Sequence, residues 1–266
     1  MPRLSVDIDV VFTDHTLRRE DALRAIEGDL KEAAATLEAR GYDVVVPRKP
    51  SGEDVKLFIR SDKAEVKVEV NHVFRGMLLP KRTVPLAPAA QEMFTSGLSV
   101  PMLDQAELYG SKLVAAMDRQ HPRDIFDVLK MQEKFGLEGA FVDCFVAYLA
   151  GHNRPVHEVL FGGDAPFDVI YESHFKGMTM SEVPLDVLLK TRAELKTTLP
   201  KALTQRHKDF LLSLVKAEPA WDLMPFAHLK ELPALKWKLL NLEKLKATKK
   251  AAFEQQHALL AGRFSA

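Results

Sequence analysis

The chain has 266 residues, a formal net charge of zero and a pI near 7.1. It is therefore no polycation, and any nucleic-acid contact has to come from local patches. Its apolar share of 47% is enough for a core in one large domain or two small ones. The one cysteine, Cys144, excludes a disulfide framework and a cysteine-ligated zinc site and fits a reducing cytoplasm.

No signal peptide is visible, and the most apolar helical run, 140–150, contains Asp143 and is too short to span a bilayer. The first run, Arg3-Leu4-Ser5-Val6-Asp7-Ile8-Asp9-Val10-Val11-Phe12, reads as a strand. Leu4, Val6, Ile8 and Val10 point one way; Arg3, Ser5, Asp7 and Asp9 point the other. A helix follows over 18–40, with Leu23, Ile26, Leu30, Ala34 and Leu37 on one side and Gly41 as its stop. Strands are expected at 42–47, 54–60 and 65–73, the last alternating Val66, Val68 and Val70 against Lys67, Glu69 and Asn71. The four-proline stretch 74–101 reads as connection with a short helix near 89–94.

Beyond residue 104 the pattern turns helical, over 105–118, 122–135, 138–150, 184–197, 200–217, 231–245 and 247–261. The expected fold is thus α+β: an α/β core over 1–100, then an all-helical lobe of five to seven helices over 101–266.

Two carboxylates on one strand face, Asp7 and Asp9, lie roughly 6.5–7 Å apart along the strand. If the 65–73 strand lies beside them, Glu69 joins as a third acid, with Glu65 as its competitor. Burying such a set asks for a compensating cation, and hard oxygen ligands with few basic neighbours beyond Arg3 and Lys67 suit Mg²⁺. Exposed, solvated carboxylates, with Glu69 paired to a cross-strand lysine, are the alternative.

Lys112 and Arg119, seven apart on one helix, share a face suited to a triphosphate. On this segment alone the favoured reading is a solvated face with Glu107 and Asp118 as partners. In His121-Pro122-Arg123-Asp124-Ile125-Phe126-Asp127, Pro122 takes the first helical position and Asp124 the first turn, facing the positive end of the helix dipole. Asp127 shares its face. Asp124 either holds Lys112 or Arg119 in position or touches substrate. His152 and His157 read as loop residues, and Trp221 and Trp237 as core. The lysines 236–250 read as a solvated face or as a surface that tracks RNA phosphates.

R-x-S-x-D-I-D, then K-V-E-V, then Y-G-S-K-L-x-A-A-x-x-R and R-D-I-F-D, in this order over residues 3–150, resemble the AbiEii/AbiGii (MenT-like) nucleotidyltransferase toxins of the polymerase-β-like superfamily. The resemblance implies that Asp7 and Asp9 carry Mg²⁺ and an NTP. Glu69 is then the third acid, helping to activate an attacking hydroxyl. Lys112 and Arg119 engage nucleotide phosphates, Arg123 lies with them, Asp124 is an essential aspartate, and Arg3 and Ser5 reach phosphate from the metal strand. It further implies a site between the two lobes, transfer of a nucleoside monophosphate to an acceptor such as the 3′ end of tRNA, and an antitoxin partner. The family pattern carries a Gly-Gly-Thr/Ser turn before the D-x-D strand; this sequence starts two residues before Arg3. The expectation is that an N-terminal part is missing or nucleotide grip is reduced. A catalytically impaired RNA- or partner-binding relative and a nucleotidyltransferase acting on a protein hydroxyl are the other readings.

Overall fold

The D-x-D segment forms a strand whose neighbour comes some sixty residues later. The computed structural model describes residues 3–5, 7–47, 56–71, 74–94 and 97–265. Val6 and the expected strand ends 54–55 and 72–73 lie outside these. Two compact units emerge: one of Leu4–Gly76 with Glu231–Ala234, the other of Met1–Arg3, Met77–Lys230 and Leu235–Ala266. The first thus ends at Gly76, upstream of the boundary expected near 100.

In the first unit, β1 (Asp7–Val11), α1 (Arg19–Glu38), β2 (Asp43–Val45), β3 (Lys56–Arg60) and β4 (Glu65–Asn71) follow in order. The sheet runs β1-β4-β3-β2, with β1 parallel to β4 and the other pairs antiparallel. A parallel neighbour requires a long crossover, supplied here by α1, β2 and β3. The i, i+4 series Ile26, Leu30 and Ala34 on α1 packs with Leu57 and Val70, with Leu23, Leu37, Val44, Ile59 and Val68 around them. Gly41, at φ 88°, lets Tyr42 N–H reach back to Leu37 O (3.2 Å), the left-handed close expected of a helix stop.

Register places Ile8 beside Val68 and Val10 beside Val70, so the alternation holds. Yet Ile8 remains 52% exposed and Val10 36%. The helix packs on β2 and β3, and its cover stops short of the edge strand.

The second unit opens with β5 (Arg82–Pro85), α2 (Pro88–Gln91) and β6 (Ser99–Met102). The two strands pair antiparallel where only connection was expected, with Pro101 opposite Thr83 and Pro85 opposite Ser99. Proline is tolerated there because a two-stranded ribbon consists of edges.

Then follow α3 (Gln105–Arg119), α4 (Pro122–Phe135), α5 (Gly139–Ala150), α6 (Val156–Phe161), α7 (Asp168–His174), α8 (Leu185–Ala202), α9 (Gln205–Val215), α10 (Pro233–Thr248) and α11 (Lys250–Ser265). Helices α6 and α7 exceed the expected count; each is too short for a full amphipathic period to show. His157 lies on α6 rather than in a loop. Pro200, expected to open a helix, sits in the last turn of α8. The following helix starts at a capping box formed by Thr204 and His207. Thr204 N–H donates to His207 Nδ1, so Nε2 carries the proton that binds Asp143 Oδ1 on α5 at 2.6 Å. The acid that interrupts the apolar run of α5 thereby ties α9 to it.

Trp221 packs on Phe210 with centroids 6.0 Å apart, whereas Trp237, expected in the core, is 58% exposed on α10. Among the described residues, no helix is long and apolar enough to cross a membrane.

Helices α3 and α5 meet at Gly110. A Cβ there would lie 2.5 Å from Cys144 Cβ and 2.7 Å from the Phe145 backbone nitrogen, contacts only hydrogen at that position permits. Gly110→Ala is expected to destabilise the protein by about 1–3 kcal/mol, read as a lower urea midpoint at unchanged m-value.

Candidate active site

In the first unit, β1 and β4 align Asp7 with Lys67 and Asp9 with Glu69. Side chains two apart share a face, so Asp7, Asp9, Lys67 and Glu69 all project to the side opposite Val68 and Val70. One carboxylate oxygen from each of Asp7, Asp9 and Glu69 lies within 4.8 Å of the others. Opposite ligands of an octahedral Mg²⁺ stand about 4 Å apart, so small side-chain rotations suffice for all three to hold one ion. Glu65, the competitor for the third position, instead pairs with Arg60 across the end of β3 and β4.

Two ammonium groups enter this set. Lys67 Nζ lies 2.9 Å from Asp7 Oδ2 and 2.9 Å from Glu69 Oε2. Lys56, the register partner of Glu69 on β3, places Nζ 3.1 Å from Glu69 Oε1. Glu69 therefore belongs to the acid set and has a cross-strand lysine as well. The hydrogen bonds to Asp7 and then Glu69 push Lys67 up to about 12. Lys67, followed by Lys56, holds the Glu69 carboxyl below its ordinary value. The Ser5 hydroxyl donates to Asp7 O at 3.1 Å, fixing the backbone where β1 starts.

In the second unit, Asp104 caps α3 by accepting from Ala106 N–H, and α3 presents Lys112 and Arg119 toward α4. Lys112 Nζ stands 3.4 Å from Asp127 Oδ2. Arg3 forks onto the same carboxylate, with Nε 2.7 Å from Oδ1 and Nη2 2.7 Å from Oδ2. Its backbone pairs with Thr179 instead of extending β1. Arg119 Nη2 donates to Asp124 Oδ1 at 2.9 Å, and Asp124 is buried in the first turn of α4. Arg123 N–H donates to His121 Nδ1, which caps that helix.

Of the two carboxylates one turn apart, Asp124 holds Arg119 and Asp127 holds Lys112. Asp127 was absent from the residues assigned a role by sequence. Its signal was there, one turn after Asp124 on the same face. Lys67 was legible too, two residues from Glu69.

Glu107, a solvated partner in the sequence reading, is fully buried. It accepts from Leu78 N–H (2.8 Å), Leu79 N–H (3.1 Å) and the Tyr148 hydroxyl (3.0 Å). Burial raises its pKa against the pull of those bonds, and its role is to anchor the 78–79 turn. Asp118 pairs with Arg154 at 2.7 Å.

A family model described as the nucleotidyl transferase AbiEii toxin of type IV toxin–antitoxin systems matches residues 1–241. The chain is also similar in structure to MenT4, a nucleotidyltransferase toxin of Mycobacterium tuberculosis. The TM-score is 0.53 at 17% identity, over 90% of this chain and 78% of that one; at this identity the likeness is one of fold. No curated protein sequence matches.

The depressed Glu69 carboxyl sets a sign for pH dependence. Its contribution to stability is present above the ordinary carboxylate value of 4.5 and is lost as pH falls through the lower folded value. The metal-free protein is expected to lose stability below about pH 4.5, and Glu69→Gln is expected to flatten that acid limb. Urea midpoints across the acid range check this; an identical limb in both proteins contradicts it.

Proposed function

The chain belongs to the AbiEii nucleotidyl transferase toxin family, and from that premise we propose that it transfers a nucleoside monophosphate from an NTP to the 3′ end of an RNA, tRNA first among candidates, releasing pyrophosphate. Membership of a toxin–antitoxin family implies an NTP substrate and a cognate antitoxin. The observation that carries the reading is the convergence of Asp7, Asp9 and Glu69 to within 4.8 Å on one face of paired strands.

Those three carboxylates would hold Mg²⁺, which when bound neutralises phosphate charge and orients the reacting oxygens. The chain's own groups do the rest by positioning and charge. Asp7 and Asp9 are fixed by the β1–β4 ladder, with Ser5 bracing the strand start. Glu69 faces the acceptor hydroxyl as the third acid. Lys112, Arg119 and Arg123 meet the phosphates, Lys as a point charge and Arg as a fork. Asp127 sets the positions of Lys112 and Arg3, and Asp124 that of Arg119.

Purified protein with Mg²⁺, each of four labelled NTPs in turn and total tRNA tests this. Label is expected on RNA with one nucleotide preferred, reduced at least about a hundredfold in Asp9→Ala and in Lys112→Ala. Label on protein instead would redirect the reading to a protein hydroxyl. No label on either, with intact carboxylates, would leave a binding protein on a nucleotidyltransferase fold.

A further inference from the structure

Strand pairing delivers the Lys67 ammonium into the acid set. Lys67 is the register partner of Asp7 and lies two residues from Glu69 on the same face, so its side chain has no other side of the sheet to go to. Its Nζ bonds both carboxylates at 2.9 Å, with only 27% of the side chain exposed. Lys56 differs: among the described residues its ion pair is with Glu69, on the other oxygen, from the neighbouring strand.

A divalent ion bound to the same carboxylates sits about 2.1 Å from their oxygens. Lys67 Nζ in its present position would then lie within a few ångströms of that ion. Two cations so close and partly shielded from water repel strongly. The arrangement therefore admits an ammonium or a divalent ion at Asp7 and Glu69, and the four-carbon stem of lysine lets the ammonium leave without moving the strand.

We propose that Lys67 is a resident counter-ion that occupies the metal position in the metal-free protein and is displaced from Asp7 and Glu69 when a divalent cation binds. Lys67 thereby sets the metal affinity of the site: it keeps three converging carboxylates stable without metal and raises the concentration at which metal loads. The proposal rests on the reading of Asp7, Asp9 and Glu69 as metal ligands.

Manganese is the probe, titrated by electron paramagnetic resonance into the full chain and into Lys67→Met, Lys67→Gln, Lys56→Met and Asp9→Ala. Lys67→Met and Lys67→Gln are expected to bind Mn²⁺ about tenfold tighter than the unsubstituted protein, and Lys56→Met to gain much less. Equal affinity in the unsubstituted protein and both Lys67 variants, with Asp9→Ala still weakened, overturns the counter-ion role and leaves the metal site standing. Binding that is absent throughout, or indifferent to Asp9→Ala, overturns the metal reading and this inference with it. A second readout needs no variant. Amine acylation followed by mass spectrometry is expected to label Lys67 faster with Mn²⁺ than without, while lysines elsewhere keep their rates. A Lys67 rate unchanged at saturating Mn²⁺ overturns the displacement.

Discussion

Parallel pairing in fixed register is the constraint on which the acid set depends. Because β1 lies beside β4 with Asp9 opposite Glu69, carboxylates sixty residues apart in sequence become neighbours, and every second residue on either strand joins them. A one-residue slip would send Ile8 and Val68 to that face and the acids to the packed side. On β4 what prevents the slip is hydrophobic: Val70, with Leu57 of β3, is buried against Ile26, Leu30 and Ala34 of α1. The polar face is therefore specified by the apolar one. The like charges it gathers are tolerated because β4 brings in Lys67 and its other neighbour, β3, brings in Lys56.

The helical unit solves a related problem with a glycine. Glycine within a helix costs about 1 kcal/mol relative to alanine, yet Gly110 stands inside α3, two residues before Lys112. The cost is offset by the close approach it allows to Cys144 and Phe145. It also fixes the roll of α3, so that Lys112 and Arg119 turn toward the carboxylates of α4. Glu107 on the buried side adds to this: with both oxygens bonded to the 78–79 backbone and to Tyr148, α3 cannot rotate without stranding a buried carboxylate. The Y-G-S-K stretch combines a packing residue with a charged one, and the packing residue aims the charge.

Much of this was legible in the sequence wherever periodicity was long and one face was buried. The α1 face, the alternation of β4 and the proline start of α4 follow from spacing alone, whereas the third acid, Glu69 or Glu65, depended on which strand lies beside β1 and in which register. The β5–β6 ribbon was hidden by its prolines, which argue against a central strand but not against a ribbon of edges. Glu107 resembled any other helix-surface acid, because the backbone donors that satisfy it come from residues 78 and 79, some thirty positions away. Trp237 was misread because aromatic bulk predicts burial only on average. Asp127 was visible as a residue on the right face, but what distinguishes it from Asp124, the arrival of Arg3 from the chain's start, is a contact no local pattern encodes.

That contact changes how the two aspartates work. Asp124 and Arg119 form a pair, and the pair is balanced. Asp127 receives two cations, Arg3 and Lys112, and so sets two side chains where Asp124 sets one. The acid set is the mirror case, where three carboxylates share Lys67 and Lys56. Exchanging Lys67 for a divalent ion would add positive charge at those carboxylates without adding a side chain. Each cluster is created by a long-range pairing within its own unit, β1 beside β4 in the one and Arg3 on Asp127 in the other, and neither is encoded by the residues that flank it in sequence.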